Sequence, residues 1–106
     1  MPKYLVKANY SPEGLQGLMK DGAKKRGEVA KAAIEGAGGT LESFYYAFGE
    51  TDIYLTCDFP DNESAAAVSM TVSASGAVAC SVVALLTAEE VDAAIKKSPS
   101  YSPPGS

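Results

Sequence analysis

Apolar and polar residues alternate over three short stretches of the chain, and a fourth stretch is apolar almost throughout. Alternation with a period of two, in segments rich in aromatic and β-branched residues, is typical of strands that bury one face. A continuous apolar run of similar length is typical of a strand that is buried on both faces. The pattern therefore predicts four strands, at residues 4–10, 40–48, 53–59 and 77–86.

The first helical signal begins at Ser11, whose side chain can cap a helix. Pro12 suits the first turn, where its missing N–H is not needed. Apolar residues then recur at helical spacing as far as residue 37, and Gly38-Gly39 is suited to a left-handed C-terminal cap. We therefore predict one uninterrupted helix between Pro12 and residue 37.

A second helix is predicted for residues 64–75, with Asp61 or Asn62 as its N-terminal cap. The body of this segment consists mainly of small apolar residues, which let a helix lie close to the surface that it covers. Gly76 follows the last of them and is expected to end the helix.

The end of the chain carries the capping-box pattern, in which Thr87 is followed three residues later by Glu90. It predicts a short terminal helix that runs to about residue 97. The remaining residues are rich in serine and proline and are expected to form a flexible extension. The predicted organisation is one domain over residues 1–97 and a C-terminal extension over residues 98–106.

Turn residues, Gly49-Glu50-Thr51-Asp52, separate the second and third strands and predict a β-hairpin. The element order is then β-α-β-β-α-β plus a terminal helix, an α+β arrangement of the ferredoxin-like type. Right-handed crossovers place both main helices on one face of an antiparallel sheet with strand order 4-1-3-2. The other face is left uncovered, and an apolar patch of that size favours packing against a second copy. We expect a homodimer or higher homo-oligomer of the dimeric α/β-barrel type.

The chain carries 9 Lys and Arg against 13 Asp and Glu, a formal net charge of −4. This balance argues against a nucleic-acid partner, because a phosphate backbone requires a concentrated basic face. We interpret the one basic cluster, Lys24-Lys25-Arg26, as a solvated helix face. No apolar stretch approaches the roughly 18 residues of a membrane span, and the N-terminus has no signal-peptide pattern. We expect a cytoplasmic protein with neither nucleic-acid nor membrane partners.

Histidine is absent from the sequence. The chain therefore has no imidazole to act as a general base near neutral pH or to bind zinc or haem. Ser–His–Asp and Cys–His mechanisms are excluded within one chain. We expect neither a metal ion nor a cofactor.

The two cysteines, Cys57 and Cys80, fall on the third and fourth predicted strands. The first strand would separate them by roughly 9–10 Å, given the usual spacing of strands. A disulfide needs Cα atoms within about 7 Å, so we predict two free thiols that pack as small apolar side chains.

Several separated motifs fall in order along the chain: Met1-Pro-Lys-Tyr-Leu-Val6, Ala8-Asn-Tyr-Ser-Pro-Glu-Gly-Leu15, the stretch 38–52, and Val72-Ser-Ala-Ser-Gly-Ala77. Together they resemble the GYD-domain family of small bacterial proteins, from Met1 to about Ile95. The Gly-x-Tyr-Asp-like signature of that family reads Gly49-Glu50-Thr51-Asp52 here, with Thr51 in place of the tyrosine. The resemblance implies a ferredoxin-like fold related to dimeric barrels, and it implies no agreed activity.

The candidate ligand-binding residues share a position at a strand end, in the hairpin turn or at a helix end: Asn9, Tyr10, Tyr45, Gly49, Asp52 and Ser73. Each also has a structural interpretation. Asp52 would bond backbone amides, and Gly49 would supply an unusual backbone dihedral. The tyrosines would be core or interface residues, and Ser73 would belong to a closely packed helix end. A Gly-x-Tyr-Asp sequence in the effector domain of leucine-responsive regulators supports the ligand interpretation by analogy.

Two functions remain open. The first is a non-catalytic homo-oligomeric module that binds a small apolar or aromatic ligand or scaffolds an assembly. The second is a cofactor-free enzyme of the dimeric-barrel type, an oxygenase or isomerase acting on an aromatic or quinone-like substrate. Its acid–base groups would be Tyr10, Tyr45, Asp52 and Lys24. The sequence contains no complete catalytic constellation, and this favours the first function.

Overall fold

The computed structural model describes all 106 residues. They form, in order, β1 (Lys3–Tyr10), α1 (Pro12–Asp21), α2 (Ala23–Gly36), β2 (Thr40–Tyr46), β3 (Ile53–Asp58), α3 (Asn62–Ala74), β4 (Val78–Leu85) and α4 (Ala88–Lys96). The strands make one antiparallel sheet in the order β2-β3-β1-β4, which is the predicted order. This α+β architecture is consistent with the predicted ferredoxin-like arrangement.

Strand β1 lies at the centre of the sheet and organises the core. Its residue Val6 pairs with Leu55 of β3 on one side and with Val82 of β4 on the other. The alternate residues of β1 that begin with Tyr4 face the helices, as the period-two pattern predicted. Phe59, which follows β3 and is 1% exposed, packs edge-on against Tyr4 with ring centroids 5.7 Å apart.

The predicted single first helix is wrong, because the structure breaks it at Gly22 into α1 and α2. Gly22 has φ 92° and ψ 150°, a conformation that glycine adopts without the steric cost paid by other residues. The break resets the helical phase. In α2 Ile34 is buried at 3% exposure, whereas Met19, which precedes the break, is 79% exposed.

The N-terminus of α1 is fastened to the segment that enters β4. The Ser11 hydroxyl accepts a hydrogen bond from the Gly14 N–H at 3.0 Å, which confirms the predicted cap. The Ser11 N–H donates to the Ala77 carbonyl at 2.9 Å. Gly14 is buried against Ala77 so closely that a Cβ built on it would lie 2.0 Å from the Ala77 carbonyl oxygen.

The other predicted helix signals are confirmed with small shifts in their bounds. Asp61, not Asn62, caps α3 by accepting from the Ser64 N–H at 2.8 Å. Gly38 and Gly76 both have positive φ, as expected of residues that end helices. Thr87 begins α4 with the complete capping box.

The predicted hairpin between β2 and β3 is present, but β2 ends at Tyr46 rather than at Phe48. The loop is closed by the Ala47 N–H, which donates to the Asp52 carbonyl at 2.9 Å. Phe48, and not Gly49, has the left-handed backbone, with φ 57°. The predicted unusual dihedral at Gly49 is therefore wrong.

The sheet face opposite the helices α2 and α3 is open. At one end, Lys3 forms ion pairs with Glu42 and with Asp58, the second at 2.9 Å. The rest of this face mixes apolar and aromatic side chains with polar ones, among them Lys7 and Ser81. Tyr45 lies opposite Tyr54 in the register and Leu5 lies opposite Val83.

Helix α4 extends the molecule instead of completing its core. Every residue of α4 is exposed, and so are all residues of the tail 98–106, which contains no helix or strand. The Cα radius of gyration is 16.9 Å, against about 13 Å for a compact domain of this length. No helix is long and apolar enough to cross a membrane.

The cysteines lie where the strand order placed them, Cys57 on β3 and Cys80 on β4, with β1 between them. Both thiols are free, as predicted. Burial raises the pKa of Cys57 to about 11 and also raises that of Cys80.

Candidate functional site

A cavity of about 110 Å³ lies between the helices and the sheet. Its lining comes from all four strands below and from α2 and α3 at the sides, and 17 of its 19 residues are hydrophobic. An apolar cavity with a few convergent polar groups is the default candidate for a ligand-binding site.

The sequence produces this cavity through small side chains on both helices. Helix α2 lies over β2 and α3 lies over β4. The middle of the sheet is therefore covered only by the side chains that these two helices direct toward it. These side chains include Ala30 and Ala33 of α2 and Ala65 and Val68 of α3. Alanine and valine cannot fill the gap between helices that are spaced to fit two different strands.

Three side chains add polar groups to the lining, Tyr10, Arg26 and Ser69, and the first two are neighbours. Burial raises the pKa of Tyr10 to about 12, the neighbouring Tyr46 adds to the rise, and Arg26 opposes it. At neutral pH the Tyr10 phenol is therefore protonated and able to donate a hydrogen bond. The Tyr46 hydroxyl donates to the Ala23 carbonyl at 2.9 Å, tying the first turn of α2 to the sheet.

Arg26 is the one charged residue in the cavity lining. Its single ion pair is with Asp21, with Nη1 3.7 Å from Oδ2, which is too long for a good hydrogen bond. The guanidinium also neighbours the Tyr10 phenol, and the N–H donors that face neither group remain available to a ligand or to water.

Asp52 and Asn9 hold the end of β1 in a reciprocal pair of bonds. The Asp52 carboxylate accepts from the Tyr10 backbone N–H at 2.9 Å. The Asn9 side-chain oxygen accepts from the Asp52 backbone N–H at 3.0 Å. The predicted role of Asp52 as an acceptor for backbone amides is correct, but the amide belongs to β1 and not to the hairpin turn. The pair positions the backbone of Tyr10, whose ring lines the cavity.

The family model of the GYD domain matches residues 4–95, which is most of the chain. The chain belongs to the GYD-domain family. No curated protein and no solved structure matched it.

The remaining candidate residues of this GYD domain lie outside the cavity lining. Tyr45 is 69% exposed and points to the open sheet face. Gly49 is in an exposed loop with open space around it. The Ser73 hydroxyl accepts from the Cys80 N–H at 3.1 Å and so joins α3 to β4. Of the six candidates, the structure brings together Asn9, Tyr10 and Asp52.

The four groups considered for acid–base chemistry lie in two separate places. Tyr10 and Asp52 meet at the end of β1, where the carboxylate is bonded to backbone. Lys24 and Tyr45 border a shallow depression between α2 and the edge strand β2. No three His, Cys, Asp or Glu side chains lie close enough together to hold a metal ion.

The position of Arg26 in the cavity lining was not predicted, because the sequence pattern was interpreted as a solvated basic cluster. The available signal was its spacing from Val29, Ala30 and Ala33, which share its helix face. A cationic residue within an apolar helical stripe is a candidate to line the mouth of a cavity rather than to be fully exposed to solvent.

Replacing Asp52 with Ala is expected to lower the free energy of unfolding by about 1 kcal/mol, because the Tyr10 N–H loses its acceptor. Asp52→Asn should be milder, since the amide oxygen still accepts. Urea denaturation of both variants measures the difference, with Glu50→Ala in the same exposed loop as the matched control. Equal stability of the Ala and Asn variants would show that the bond to β1 contributes nothing.

Proposed function

We propose that this GYD domain is a homo-oligomeric binding module that holds a small apolar or aromatic molecule in the cavity between helices and sheet. The observation that carries the proposal is the cavity itself, which is apolar along most of its wall and has a few polar side chains in its lining. A binding module needs no acid–base pair, and the one carboxylate beside Tyr10, that of Asp52, is bonded to the backbone of β1.

The size of the cavity suits a single ring or a short branched chain. A cavity of about 150 Å³ lined by aliphatic and aromatic residues is known to admit benzene, and this one measures about 110 Å³. An empty cavity lowers the free energy of unfolding, by about 24 cal/mol per Å³ in series of core-truncation variants. By that figure the empty cavity costs between ~2 and ~3 kcal/mol, part of which a ligand would recover.

Cys80 offers a direct test, because it lines the cavity and Cys57 does not. Benzene or phenol bound in the cavity should slow the alkylation of Cys80 by iodoacetamide and raise the melting temperature. Both thiols have raised pKa values, so their labelling is slow at neutral pH and the protection can be followed by mass spectrometry over time.

A cavity-filling variant makes this test specific. Val68→Phe projects a larger side chain into the cavity from α3 and should abolish the protection by either probe. Met70→Phe is the matched control on the same helix, since Met70 is 66% exposed and points outward. Unprotected Cys80 at saturating probe in the parent protein would refute the binding proposal.

Self-association is the second part of the proposal, and it is supported by the amount of surface left exposed. Only 11 of 106 residues are buried, and the accessible surface is 7129 Å². A compact monomer of this mass exposes about 5,600 Å². The difference exceeds the roughly 800 Å² that each partner buries in an interface of standard size.

The open sheet face is the surface that a second copy would cover. Its exposed residues include Tyr45, Tyr54 and Val83, which a face-to-face packing of two sheets as an α/β barrel would bury. Helix α4 offers a further unpaired apolar stripe through Val91 and Ile95, four residues apart.

Val83→Lys should convert the oligomer to a 10.9 kDa monomer, because it places a charge within the proposed interface. Met70→Lys, on the helical side of the molecule, should leave the oligomer intact. Sedimentation velocity at micromolar concentration distinguishes these species. A parent protein that sediments as a clean monomer contradicts the interface outright.

A further inference from the structure

We propose that the cavity selects a small amphipathic anion, a carboxylate carried on a single ring or short branched chain, and that Arg26 binds the carboxylate. This inference rests on the proposed binding function and names the chemical class of its ligand. The first support is the composition of the lining. Its polar side chains are one arginine, one tyrosine, one serine and the Cys80 thiol, and it contains no acidic residue.

The Arg26 guanidinium can bind a further partner. It contacts Asp21 only at 3.7 Å, and about a third of its side chain is exposed. A guanidinium binds a carboxylate through two parallel N–H···O bonds, a geometry that a single long ion pair does not use. The protonated phenol of Tyr10 adds a neutral donor in the same lining.

The first turn of α2 supports the same conclusion. Helices α1, α3 and α4 each have a side-chain cap and an acidic residue in the first turn. Helix α2 follows Gly22 and has no side-chain cap, and near its N-terminus it carries Lys24, Lys25 and Arg26 in place of acidic residues. Cations beside the positive end of a helix dipole repel it, and a bound anion relieves that repulsion.

The net charge of the protein makes the preference testable. With a formal charge of −4, the domain as a whole repels anions. A preference for an anionic over a neutral ligand of the same shape must therefore come from a local group. Benzoate, benzyl alcohol and benzylamine share the ring and differ in charge, so they serve as probes.

Isothermal titration calorimetry should show benzoate binding about tenfold or more tightly than benzyl alcohol, with benzylamine the weakest. Arg26→Met keeps an unbranched apolar stem and removes the charge, and it should erase the preference while benzyl alcohol still binds. Arg26→Lys should retain part of the preference, because the charge remains without the planar fork. Lys31→Met, exposed on the same helix and outside the lining, should change the ratio less than twofold.

The outcomes separate this inference from the one on which it rests. If all three probes protect Cys80 with equal affinity, or if Arg26→Met keeps the benzoate preference, the anion selectivity is wrong and the cavity remains a binding site. If no probe protects Cys80 in the parent protein, the binding function fails and the selectivity fails with it. If Arg26→Met does not fold, the benzoate preference is measured in Arg26→Lys and in Tyr10→Phe instead. An unchanged benzoate preference in both overturns the inference.

Discussion

Gly14→Ala is expected to destabilise the domain by about 3 kcal/mol or more, the upper end of the cost of overpacking a core. The added Cβ would stand 2.0 Å from the Ala77 carbonyl oxygen and 2.8 Å from its carbonyl carbon. Both are backbone atoms, so no side chain can rotate away. Helix α1 would have to move off the entry to β4, which breaks the hydrogen bond from the Ser11 N–H to the Ala77 carbonyl.

Gly17→Ala is the matched control, because it makes the same change in the same helix with no atom within 4 Å of the new Cβ. It should stabilise the domain by about 0.5–1 kcal/mol, the usual gain from replacing a helical glycine with alanine. Guanidinium denaturation of the two variants should therefore give shifts of opposite sign. Shifts of the same sign would show that the close approach of α1 to Ala77 is not a constraint.

Phe59→Ala is expected to cost about 3–5 kcal/mol, the range for truncating a buried aromatic residue. Phe59 is 1% exposed, packs edge-on against Tyr4 and lines the cavity. Its loss enlarges a space that is already unfilled, so the surrounding side chains cannot collapse to compensate. For a domain of this length each kcal/mol lowers the melting temperature by ~4–8 °C, so we expect a fall of more than ~12 °C.

The control for that variant is Tyr101→Ala, which removes an aromatic ring that is 76% exposed in the C-terminal tail. It should change the free energy of unfolding by less than about 0.5 kcal/mol. A loss below about 1.5 kcal/mol for Phe59→Ala would place this ring outside the well-packed core. Binding of a probe larger than benzene by the Phe59→Ala variant would independently confirm that the ring forms the cavity wall.

Much of the secondary structure could be predicted because its signals are local. Ser11, Thr87 and Asp61 act as caps through bonds to amides three residues away, so a short window of sequence contains both partners. The strands were predicted from period-two alternation, which follows directly from the geometry of an extended chain. The strand order followed from the element order and the handedness of crossovers.

The errors occur where two local conformations have similar free energies. Glycine occupies a helix interior at a cost of only about 1 kcal/mol, so Gly22 was compatible with either a continuous or a broken helix. In the structure α2 packs over β2 whereas α1 contacts β1, and two separate helices can meet these two strands. Likewise Phe48 takes the left-handed turn conformation that the sequence assigned to Gly49, because the loop between the paired strands dictates the backbone there.

The candidate site depended on contacts between residues far apart in the sequence. Asp52 was expected to bond backbone amides, yet its partner is the N–H of Tyr10, 42 residues away. Arg26 lies in a basic run that is typical of a solvated face, and only the packing of α2 brings it to the cavity.

The sequence by itself determined the four strands, the N-terminal caps of α1, α3 and α4, and membership in the GYD-domain family, since each of these depends on local backbone preferences or on motifs read in order. Tertiary structure alone decided the cavity and which polar groups reach it. A cavity is the difference between the volume that helices and sheet enclose and the volume that their side chains fill. The enclosed volume is set by the spacing of α2 and α3 over different strands, and no short stretch of sequence encodes that spacing.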